Sequence, residues 1–281
     1  MDLWFQEYQT KDLGLACRVV RTLAREKTQY QELLVVDTVQ YGRLLALDGA
    51  IQLTTADEFV YHEMIAHVPM VTHKCPRKVL VIGGGDGGTV REVLKHPAVE
   101  RVDLVEIDDR VLDICRRFFP ETSSSLSDPR VRVTVGDGVE YVKKVHGEYD
   151  VAIVDSSDPV GPGVGLFAGE FYRDLFACLA DDGLVCAQTE SPFLNGDLIR
   201  SVYRSISETF PLAALYLAPI PTYPSGLWSF TIGSKIYNPL EPEGRASGLE
   251  TRYYTPEIHR AAFVLPGFVQ QLVSKGRGPA S

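Results

Sequence analysis

The sequence lacks the features that mark several large classes of protein. Its five cysteines are scattered over 281 residues and include no CxxC pair, so neither a zinc ribbon nor a disulfide framework is indicated, and a reducing compartment fits. No stretch of 18 apolar residues occurs, and no basic segment followed by an apolar run opens the chain. We therefore expect a cytoplasmic protein without a membrane partner.

Positive charge is also in short supply. Lysine and arginine total 28 against 37 acidic residues, which gives a formal net charge of −9. A surface of this sign repels phosphate backbones, so we expect no nucleic-acid partner and favour cationic small molecules. The hydrophobic content of 45% and the charged content of 23% are ordinary for a globular protein.

The first 75 residues have the pattern of a small antiparallel β domain. Short segments rich in apolar and β-branched residues, separated by turn signals, lie at 17–23, 31–37 and 43–47. A linker helix is predicted over 57–68, and Pro69 is expected to end it. We predict that this domain occupies residues 1–75.

Residues 76–281 alternate between strand and helix patterns. The predicted strands lie at 79–82, 102–105, 131–135, 151–154, 184–187, 212–218 and 227–233. The predicted helices lie at 89–96, 109–119, 139–145, 171–179, 198–210 and 256–263, and again after 266. Apolar strands without alternation are typical of parallel strands covered on both faces. We therefore predict an α/β fold with a doubly wound sheet.

A glycine-rich loop at residues 83–88 follows the first of these strands and precedes a helix. It satisfies GxGxxG, and Glu106 follows Gly85 by 21 residues at the end of the next strand. Glycines let a ligand approach the backbone, and an acid at this distance can accept hydrogen bonds from ribose hydroxyls. The alternative is that the glycines only turn the chain and Glu106 is a solvated acid.

Asp86 in this loop discriminates between classes of ligand. Its carboxylate would repel a pyrophosphate by roughly 4 kcal/mol at about 4 Å and an effective dielectric constant of about 20, which disfavours NAD. The same repulsion disfavours an α-carboxylate and favours a nucleoside with a cationic tail. Asp86 could also cap the following helix.

Asp137 and Gly138 follow the third strand of the sheet, where folds of this kind place an adenine. The carboxylate can accept a hydrogen bond from an exocyclic amine, and glycine lets the base approach. A helix N-cap is an equal alternative for Asp137.

A further group of acids follows the fourth strand, which ends in Asp155, with Asp158 in the loop after it. Ligands of open α/β sheets bind at the carboxyl ends of strands, so these acids should converge near Asp86 and imply a bound cation. His62 and His67 form HExxxH, one residue longer than the zinc spacing, so we expect an organic cation and no metal. His62 could instead be a hydrogen-bonded residue between domains.

Together these motifs make the sequence resemble the spermidine synthase family of polyamine aminopropyltransferases. The resemblance covers nearly the whole chain and comprises Asp48-Gly49 with Gln52, and residues 57–64, 83–88, 105–108, 155–162 and 221–224. It implies a methyltransferase-like Rossmann domain with a small N-terminal antiparallel β domain. It also implies a homodimer or homotetramer without a metal.

The reaction implied by the resemblance is aminopropyl transfer from decarboxylated S-adenosylmethionine to putrescine, giving spermidine and methylthioadenosine, with the donor as co-substrate and no cofactor. The residues implied to bind the donor are Gln31, Gln52, Asp86, Glu106, Asp137 and Gly138. The residues implied to bind the amine are Tyr61, His62, Asp155, Asp158, Pro162, Gln188 and Tyr223, with Glu190, Pro192 and Trp228 as candidates for its distal ammonium. Asp155 would be the proton acceptor, with its pKa raised by desolvation and neighbouring acids or with help from a relay through water or Tyr61.

Three alternatives stay open at this point. The acceptor could be agmatine, cadaverine or spermidine, because the pocket length depends on packing. An amine methyltransferase that uses intact S-adenosylmethionine would share the fold, although Asp86 and Asp158 argue against it. A non-catalytic binding module would have no need for Asp86, Asp155, Asp158 and Tyr223 together.

Overall fold

The computed structural model describes residues 2–157, 161–242 and 248–274, and two sheets organise them. The strands of the N-terminal sheet are β1 (Leu3–Thr10), β2 (Leu13–Lys27), β3 (Glu32–Thr38), β4 (Arg43–Leu47) and β5 (Ala50–Thr54). They pair antiparallel in chain order. The prediction of a small antiparallel β domain is confirmed, and β1 and β5 are additions to it.

The strands of the second sheet are β6 (Lys78–Gly83), β7 (Arg101–Glu106), β8 (Val131–Val135), β9 (Tyr149–Asp155), β10 (Leu179–Gln188), β11 (Leu212–Pro219) and β12 (Leu227–Ser234). Their order is β11-β12-β10-β9-β6-β7-β8. The five strands from β10 to β8 in this order run parallel, whereas β12 is antiparallel to both of its neighbours. The predicted methyltransferase-like α/β architecture is confirmed.

Helices cover both faces of the second sheet. They are α1 (Glu58–Thr72), α2 (Gly88–Leu94), α3 (Asp109–Phe118), α4 (Pro120–Ser123), α5 (Gly138–Val142), α6 (Gly169–Cys178), α7 (Gly196–Thr209), α8 (Pro256–Ala262) and α9 (Gly267–Val273). Short 3-10 helices lie at Ser124–Ser127, Gly161–Phe167 and Pro224–Gly226. Val79 and Val81 pack in one core, and Leu80 and Ile82 pack in the other, which explains the unbroken apolar run of β6.

The prediction that Pro69 ends α1 is wrong, because the helix continues to Thr72. A proline inside a helix costs about 3 kcal/mol, since it removes one backbone hydrogen bond and its ring crowds the preceding turn. Val68, Met70 and Val71 are all buried, and burial of each such side chain contributes about 1.5–3 kcal/mol. Burial therefore outweighs the cost of the proline.

The packing of α1 bears on how the chain is divided. Met64, Ile65 and Val68 lie in the same core as Val81 of β6 and Val90 of α2. The helix therefore contributes to the core of the second sheet, although the predicted boundary assigns it to the N-terminal domain. The division into residues 1–75 and 76–281 stays a proposal. Within the described part of the chain, no helix is long and apolar enough to span a membrane.

Candidate active site

A cavity of about 310 Å³ has walls built from both sheets. Six acidic residues are among those that line it, namely Glu7, Asp48, Asp86, Glu106, Asp137 and Asp155. No lysine or arginine lines it among the described residues, and His62 is the one basic side chain there. A cavity of this composition favours cationic ligands.

The loop between β6 and α2 wraps closely around the end of β9. Gly83 and Gly84 have positive φ angles of 79° and 66°. A Cβ atom at Gly84 would lie 2.5 Å from Asp155 Oδ2. Glycine is therefore required at this position both by the backbone conformation and by the approach of the Asp155 carboxylate.

Asp155 lies at the carboxyl end of β9 and is buried. The Tyr61 hydroxyl donates to its Oδ1 at 2.6 Å, and the Thr89 hydroxyl donates to its Oδ2 at 2.6 Å. Burial, followed by the nearby charge of Asp86, raises the pKa of Asp155 above its usual value. The expected direction of the pKa shift is confirmed, and it makes Asp155 a stronger base than a solvated aspartate.

Asp86 belongs to the same loop between β6 and α2, and one of its carboxylate oxygens lies within 4.8 Å of one of Asp155. Its Oδ1 accepts a hydrogen bond from the Gly88 backbone N–H at 2.7 Å and lies 3.2 Å from Nε2 of His62. Burial alone would raise the pKa of Asp86, but the charge of His62 and these hydrogen bonds hold it below its usual value. Asp86 is therefore an anion. The alternative that it is the N-cap of α2 is wrong, because Gly87 occupies that position, although Asp86 accepts from the first N–H of the helix. Contact of Asp86 with a ligand stays a prediction.

His62 is buried in the wall of the cavity between the two sheets, and both of its ring nitrogens have partners, as the alternative of a hydrogen-bonded residue predicts. Its contact with an amine stays a prediction. Its Nδ1 contacts Glu58 Oε2 at 2.5 Å, while Nε2 contacts Asp86. His67 lies elsewhere, against Glu92 and His96, with ring nitrogens 3.0 Å from each partner. The two histidines of HExxxH therefore do not form one site, as their spacing indicates.

Glu106 ends β7 and is buried in the cavity wall. It accepts hydrogen bonds from the backbone N–H of Gly85 at 3.2 Å and of Asp108 at 3.0 Å. Burial raises the pKa of Glu106 to about 7. The alternative of a solvated strand-end acid is therefore wrong.

Gln31 joins the N-terminal sheet to the second sheet beside Glu106. Its Nε2 donates to Asp108 Oδ2 at 3.0 Å, and the Thr28 hydroxyl donates to the same oxygen at 2.8 Å. Asp108 also caps α3 by accepting from the Arg110 N–H at 3.1 Å. This contact places Gln31 in the cavity wall.

Asp137 is the N-cap of α5, where it accepts from the Val139 N–H at 2.8 Å. A Cβ atom at Gly138 would collide with Ile82 Cγ2. The alternative of a helix cap is thus confirmed. Because both residues also line the cavity, contact with a nucleoside stays a prediction for them.

Aromatic and amide side chains form the other end of the cavity. The Tyr223 hydroxyl donates to the Gln52 carbonyl at 2.5 Å, and its ring packs 5.5 Å from Tyr61 and 4.8 Å from Trp228, between ring centroids. Gln188 donates to the Ser156 carbonyl at 3.1 Å. These residues lie together as predicted, but their contacts with an amine stay predictions.

Two other predicted residues, Glu190 and Pro192, do not line the cavity. Glu190 is buried and accepts a hydrogen bond from Gln188 at 3.2 Å, and Pro192 is also buried. Asp158 lies outside the described residues. Pro162 belongs to the 3-10 helix Gly161–Phe167, and its side chain lies outside the described part.

Several polar residues at or behind the cavity were missed from the sequence. Glu7 of β1 is buried, lines the cavity and accepts from the Ile51 N–H at 3.2 Å. Its signal is an acid at an inward position of an alternating strand. Glu58 and Arg91 lie behind His62, and the i, i+4 spacing of Glu58 and His62 on one helix could have indicated their contact.

Within residues 2–157, 161–242 and 248–274, two groups of side chains have spacings that could hold a small cation. His62, Asp86 and Asp155 each place one atom within 4.8 Å of the other two. Nε2 of His62 is already paired with Asp86, so this spacing suits an ammonium group beside the carboxylates, and we identify none of the three as a metal ligand.

The second group comprises His73, Asp150 and Asp182 at the amino end of the strands. There, Nδ1 of His73 accepts from the Cys75 N–H at 3.1 Å. The proton of the neutral ring is then on Nε2, which offers no lone pair to a metal.

Two family models match the chain. The model described as spermine/spermidine synthase domain matches residues 58–241, and the model described as spermidine synthase tetramerisation domain matches residues 3–55. The polyamine aminopropyltransferase of Caldicellulosiruptor bescii is 54% identical over 274 residues, which cover 97% of this chain and 99% of the relative. That of Moorella thermoacetica is 57% identical over 272 residues, which cover 96% of each.

Solved structures agree with these matches. A spermidine synthase in complex with the transition-state analogue AdoDATO has a TM-score of 0.94 and 43% identity, covering 96% of this chain and 94% of that one. The spermidine synthase of Thermotoga maritima has a TM-score of 0.92 and 42% identity with the same coverage. Sequence, fold and an acidic cavity at the carboxyl ends of the strands thus agree, and the chain belongs to the spermine/spermidine synthase family of polyamine aminopropyltransferases.

Proposed function

We propose that the protein transfers the aminopropyl group of decarboxylated S-adenosylmethionine to putrescine and releases spermidine and methylthioadenosine. The composition of the cavity carries this proposal, because six acidic residues and neither lysine nor arginine line its described part. Both substrates are cations, and such a wall attracts them. The structure of a relative with the transition-state analogue AdoDATO is in line with this reaction.

The donor has a nucleoside end and a cationic tail, and the cavity offers different groups to each. Glu106 would accept hydrogen bonds from the ribose hydroxyls, while Asp137 and Gly138 would contact the adenine, with Gln31 and Gln52 nearby. Asp86 would bind the ammonium of the aminopropyl tail. The same carboxylate would repel the α-carboxylate of intact S-adenosylmethionine, so charge selects the decarboxylated donor.

The acceptor amine must lose a proton before it can attack. With a lysine-like pKa of about 10.4, deprotonation at pH 7 costs roughly 4.6 kcal/mol. We propose that Asp155 takes this proton, supported by its raised pKa and by hydrogen bonds that orient both of its oxygens. Tyr61 would remain protonated, because burial and then the charge of Asp155 raise its pKa far above the usual value.

The bond changes then balance without a metal or a cofactor. The amine lone pair forms a bond to the carbon beside the sulfonium, the C–S bond breaks, and its electron pair goes to sulfur. Methylthioadenosine leaves as a neutral thioether. Tyr61, His62, Gln188 and Tyr223 would hold the amine in line, and Asp158 and Pro162 belong to the segment proposed to complete this wall.

We further propose that the protein is a cytoplasmic homodimer or homotetramer. The match of residues 3–55 to a model described as a tetramerisation domain supports assembly. An outward apolar face on β1 and β2 also supports it, since Trp4, Tyr8 and Val20 are exposed there. The unpaired state of all five cysteines is compatible with a reducing compartment.

The test is a mass-spectrometric assay with decarboxylated S-adenosylmethionine and a panel of putrescine, cadaverine, agmatine and spermidine, beside intact S-adenosylmethionine. We expect methylthioadenosine together with spermidine, and the highest kcat/KM for putrescine. Preference for another amine would change the proposed acceptor. Methylated amine with S-adenosylhomocysteine would overturn the aminopropyl transfer altogether.

A further inference from the structure

Four charged side chains form a continuous chain of contacts from the cavity into the interface between α1 and α2. Asp86 Oδ1 lies 3.2 Å from Nε2 of His62, and Nδ1 of His62 lies 2.5 Å from Glu58 Oε2. The Arg91 guanidinium then donates to both oxygens of Glu58, at 3.0 and 2.9 Å. We call these four residues the Asp86–Arg91 chain.

The charges of the Asp86–Arg91 chain balance one another. Burial works against the ionised form of Glu58, but its contacts with His62 and Arg91 lower its pKa to about 2. Burial likewise works against the charged form of His62, but Asp86 and Glu58 raise its pKa well above the usual value. Two anions therefore alternate with two cations, which makes their burial tolerable.

Charged and titratable groups approach His62 from every element that surrounds it. They are Glu58 and Tyr61 on α1, Asp86 in the loop after β6, Arg91 on α2 through Glu58, and Asp155 at the end of β9. The two carboxylates in direct contact with its ring nitrogens, Glu58 and Asp86, define both its orientation and its charge.

The contacts of the Asp86–Arg91 chain leave one oxygen of the Asp86 carboxylate available for a ligand. His62 and the Gly88 N–H both contact Oδ1, whereas Oδ2 has no hydrogen-bond donor among the described residues. The hydrogen bond from Gly88 and the ion pair with His62 both act on Oδ1 and so orient the carboxylate. Oδ2 is thus the acceptor that remains for a cation in the cavity.

Gly88 gives independent evidence that the position of His62 matters. It is the first residue of α2, and its φ is not positive, so the backbone conformation does not require glycine. A Cβ atom at this position would collide with the His62 ring. The absence of a side chain at Gly88 is what allows the imidazole to lie against Asp86.

We propose that Glu58 and Arg91 are positioning residues for aminopropyl transfer, which hold His62 against Asp86 so that Oδ2 of Asp86 receives the ammonium of the donor tail. The inference rests on the proposed function, since it assigns the donor tail to Asp86. Neither Glu58 nor Arg91 lines the described cavity wall, so both act through His62. The bidentate geometry requires arginine, because lysine can supply only a point charge.

The test compares two ligands, of which only one has the aminopropyl cation. Decarboxylated S-adenosylmethionine carries it, and methylthioadenosine does not. The variants are Glu58→Gln, Arg91→Met, the double variant of both and Gly88→Ala, which displaces His62 without removing a charge. Arg101→Met is the matched control, because the Arg101 side chain is 22% exposed against 24% for Arg91 and donates to Glu148 at 2.7 Å, far from the cavity at the start of β7.

We expect the KM for the donor to rise about tenfold in the Glu58, Arg91 and Gly88 variants, while the dissociation constant of methylthioadenosine changes less than about twofold. The double variant should match Glu58→Gln within about twofold, because residues that act through one another are not additive. The double variant removes one charge of each sign, so it and Glu58→Gln, which keeps the contact of Arg91 with Glu92, test the role where Arg91→Met alone does not fold. The titration midpoint of His62, followed by NMR, should fall in Glu58→Gln.

Equal losses for both ligands, or a donor KM that is unchanged, would overturn the positioning role. A rise in the donor KM of the control Arg101→Met as large as that of Arg91→Met would also overturn it. The proposed function is tested separately, on the wild-type protein. It fails if the wild-type protein produces no methylthioadenosine from the decarboxylated donor.

Discussion

At the residue scale, Asp155 has two properties that oppose each other in most carboxylates. It accepts two hydrogen bonds of 2.6 Å, which favour the ionised form, yet burial and the charge of Asp86 raise its pKa. The hydrogen bonds fix its orientation, while the raised pKa lowers the cost of taking a proton from an amine. A base at this position is therefore both oriented and strengthened.

The first prediction concerns Asp155→Asn. We expect kcat to fall by about 100-fold or more, because an amide cannot accept the proton. The dissociation constant of methylthioadenosine should change little, since the nucleoside end contacts other groups. Rapid-quench kinetics together with calorimetric binding would measure both, and a variant that retains wild-type turnover would remove Asp155 from the role of base.

A second prediction at this scale follows from Glu106, whose pKa burial raises to about 7. Below that pH the empty site holds a proton on Glu106, and only the ionised form offers both oxygens to ribose hydroxyls. Methylthioadenosine should therefore bind about tenfold more weakly at pH 6 than at pH 8, with proton release on binding near pH 6. Calorimetry in buffers of different ionisation enthalpy measures both effects.

The control for this pH dependence is Glu106→Gln, which has no titratable group at the position. Its affinity should be weaker and independent of pH between 6 and 8. If the variant keeps the wild-type pH profile, another group is responsible.

At the scale of the elements, α1 connects the cavity to the C-terminal part of the chain. One side of the helix carries Tyr61 and His62, whereas Glu63 is directed to another segment. The buried Glu63 carboxylate accepts hydrogen bonds from three backbone N–H groups, those of residues 252, 253 and 254, all at 2.7 Å. The segment that precedes α8 is thereby fixed to α1.

The third prediction is that Glu63→Gln destabilises the fold without altering the chemistry. The amide of glutamine places an NH₂ group where a carboxylate oxygen had accepted a hydrogen bond. At least one buried backbone N–H then loses its acceptor, which lowers the free energy of unfolding by about 1–3 kcal/mol. Thermal unfolding should show a lower Tm while kcat is retained. Glu208→Gln on the exposed surface of α7 is the matched control and should change stability by less than about 0.5 kcal/mol.

The sequence predicts elements well where one local property dominates. The apolar run of β6, the glycines after it and the acid at the end of β9 each have a local cause, and all three are found. Pro69 misleads, because burial from distant parts of the chain keeps the helix intact around it. The position of β12 between β10 and β11 also depends on long-range pairing, which no local pattern indicates.

The candidate site shows the same division. Asp86, Glu106 and Asp155 belong to strand-end motifs, so their convergence follows from topology. No local pattern indicates that the Arg91 guanidinium contacts Glu58, or that Glu7 of β1 lines the cavity. These contributions arise from tertiary contacts alone.

At the scale of the whole molecule, the N-terminal sheet has two different surfaces on one strand. Along β1, Phe5 and Glu7 are buried, and Glu7 reaches the cavity, whereas Trp4 and Tyr8 are exposed. The alternation of a β-strand separates these surfaces, so the outer face can change without altering the inner one. Assembly and ligand binding can therefore be tested separately on the same element.

The last prediction uses this separation to test assembly. Trp4 is 54% exposed and Tyr8 is 75% exposed on β1, which is an edge strand of its sheet in the described part of the chain and pairs with β2. An exposed apolar edge of this kind requires a covering surface, and a second copy of the chain can supply it. The double variant Trp4→Glu/Tyr8→Glu should place like charges in that interface and reduce the mass measured by light scattering, with circular dichroism unchanged. Val264→Glu, an exposed apolar position outside both sheets, should leave the mass unchanged, and a wild-type protein that is purely monomeric would refute the interface.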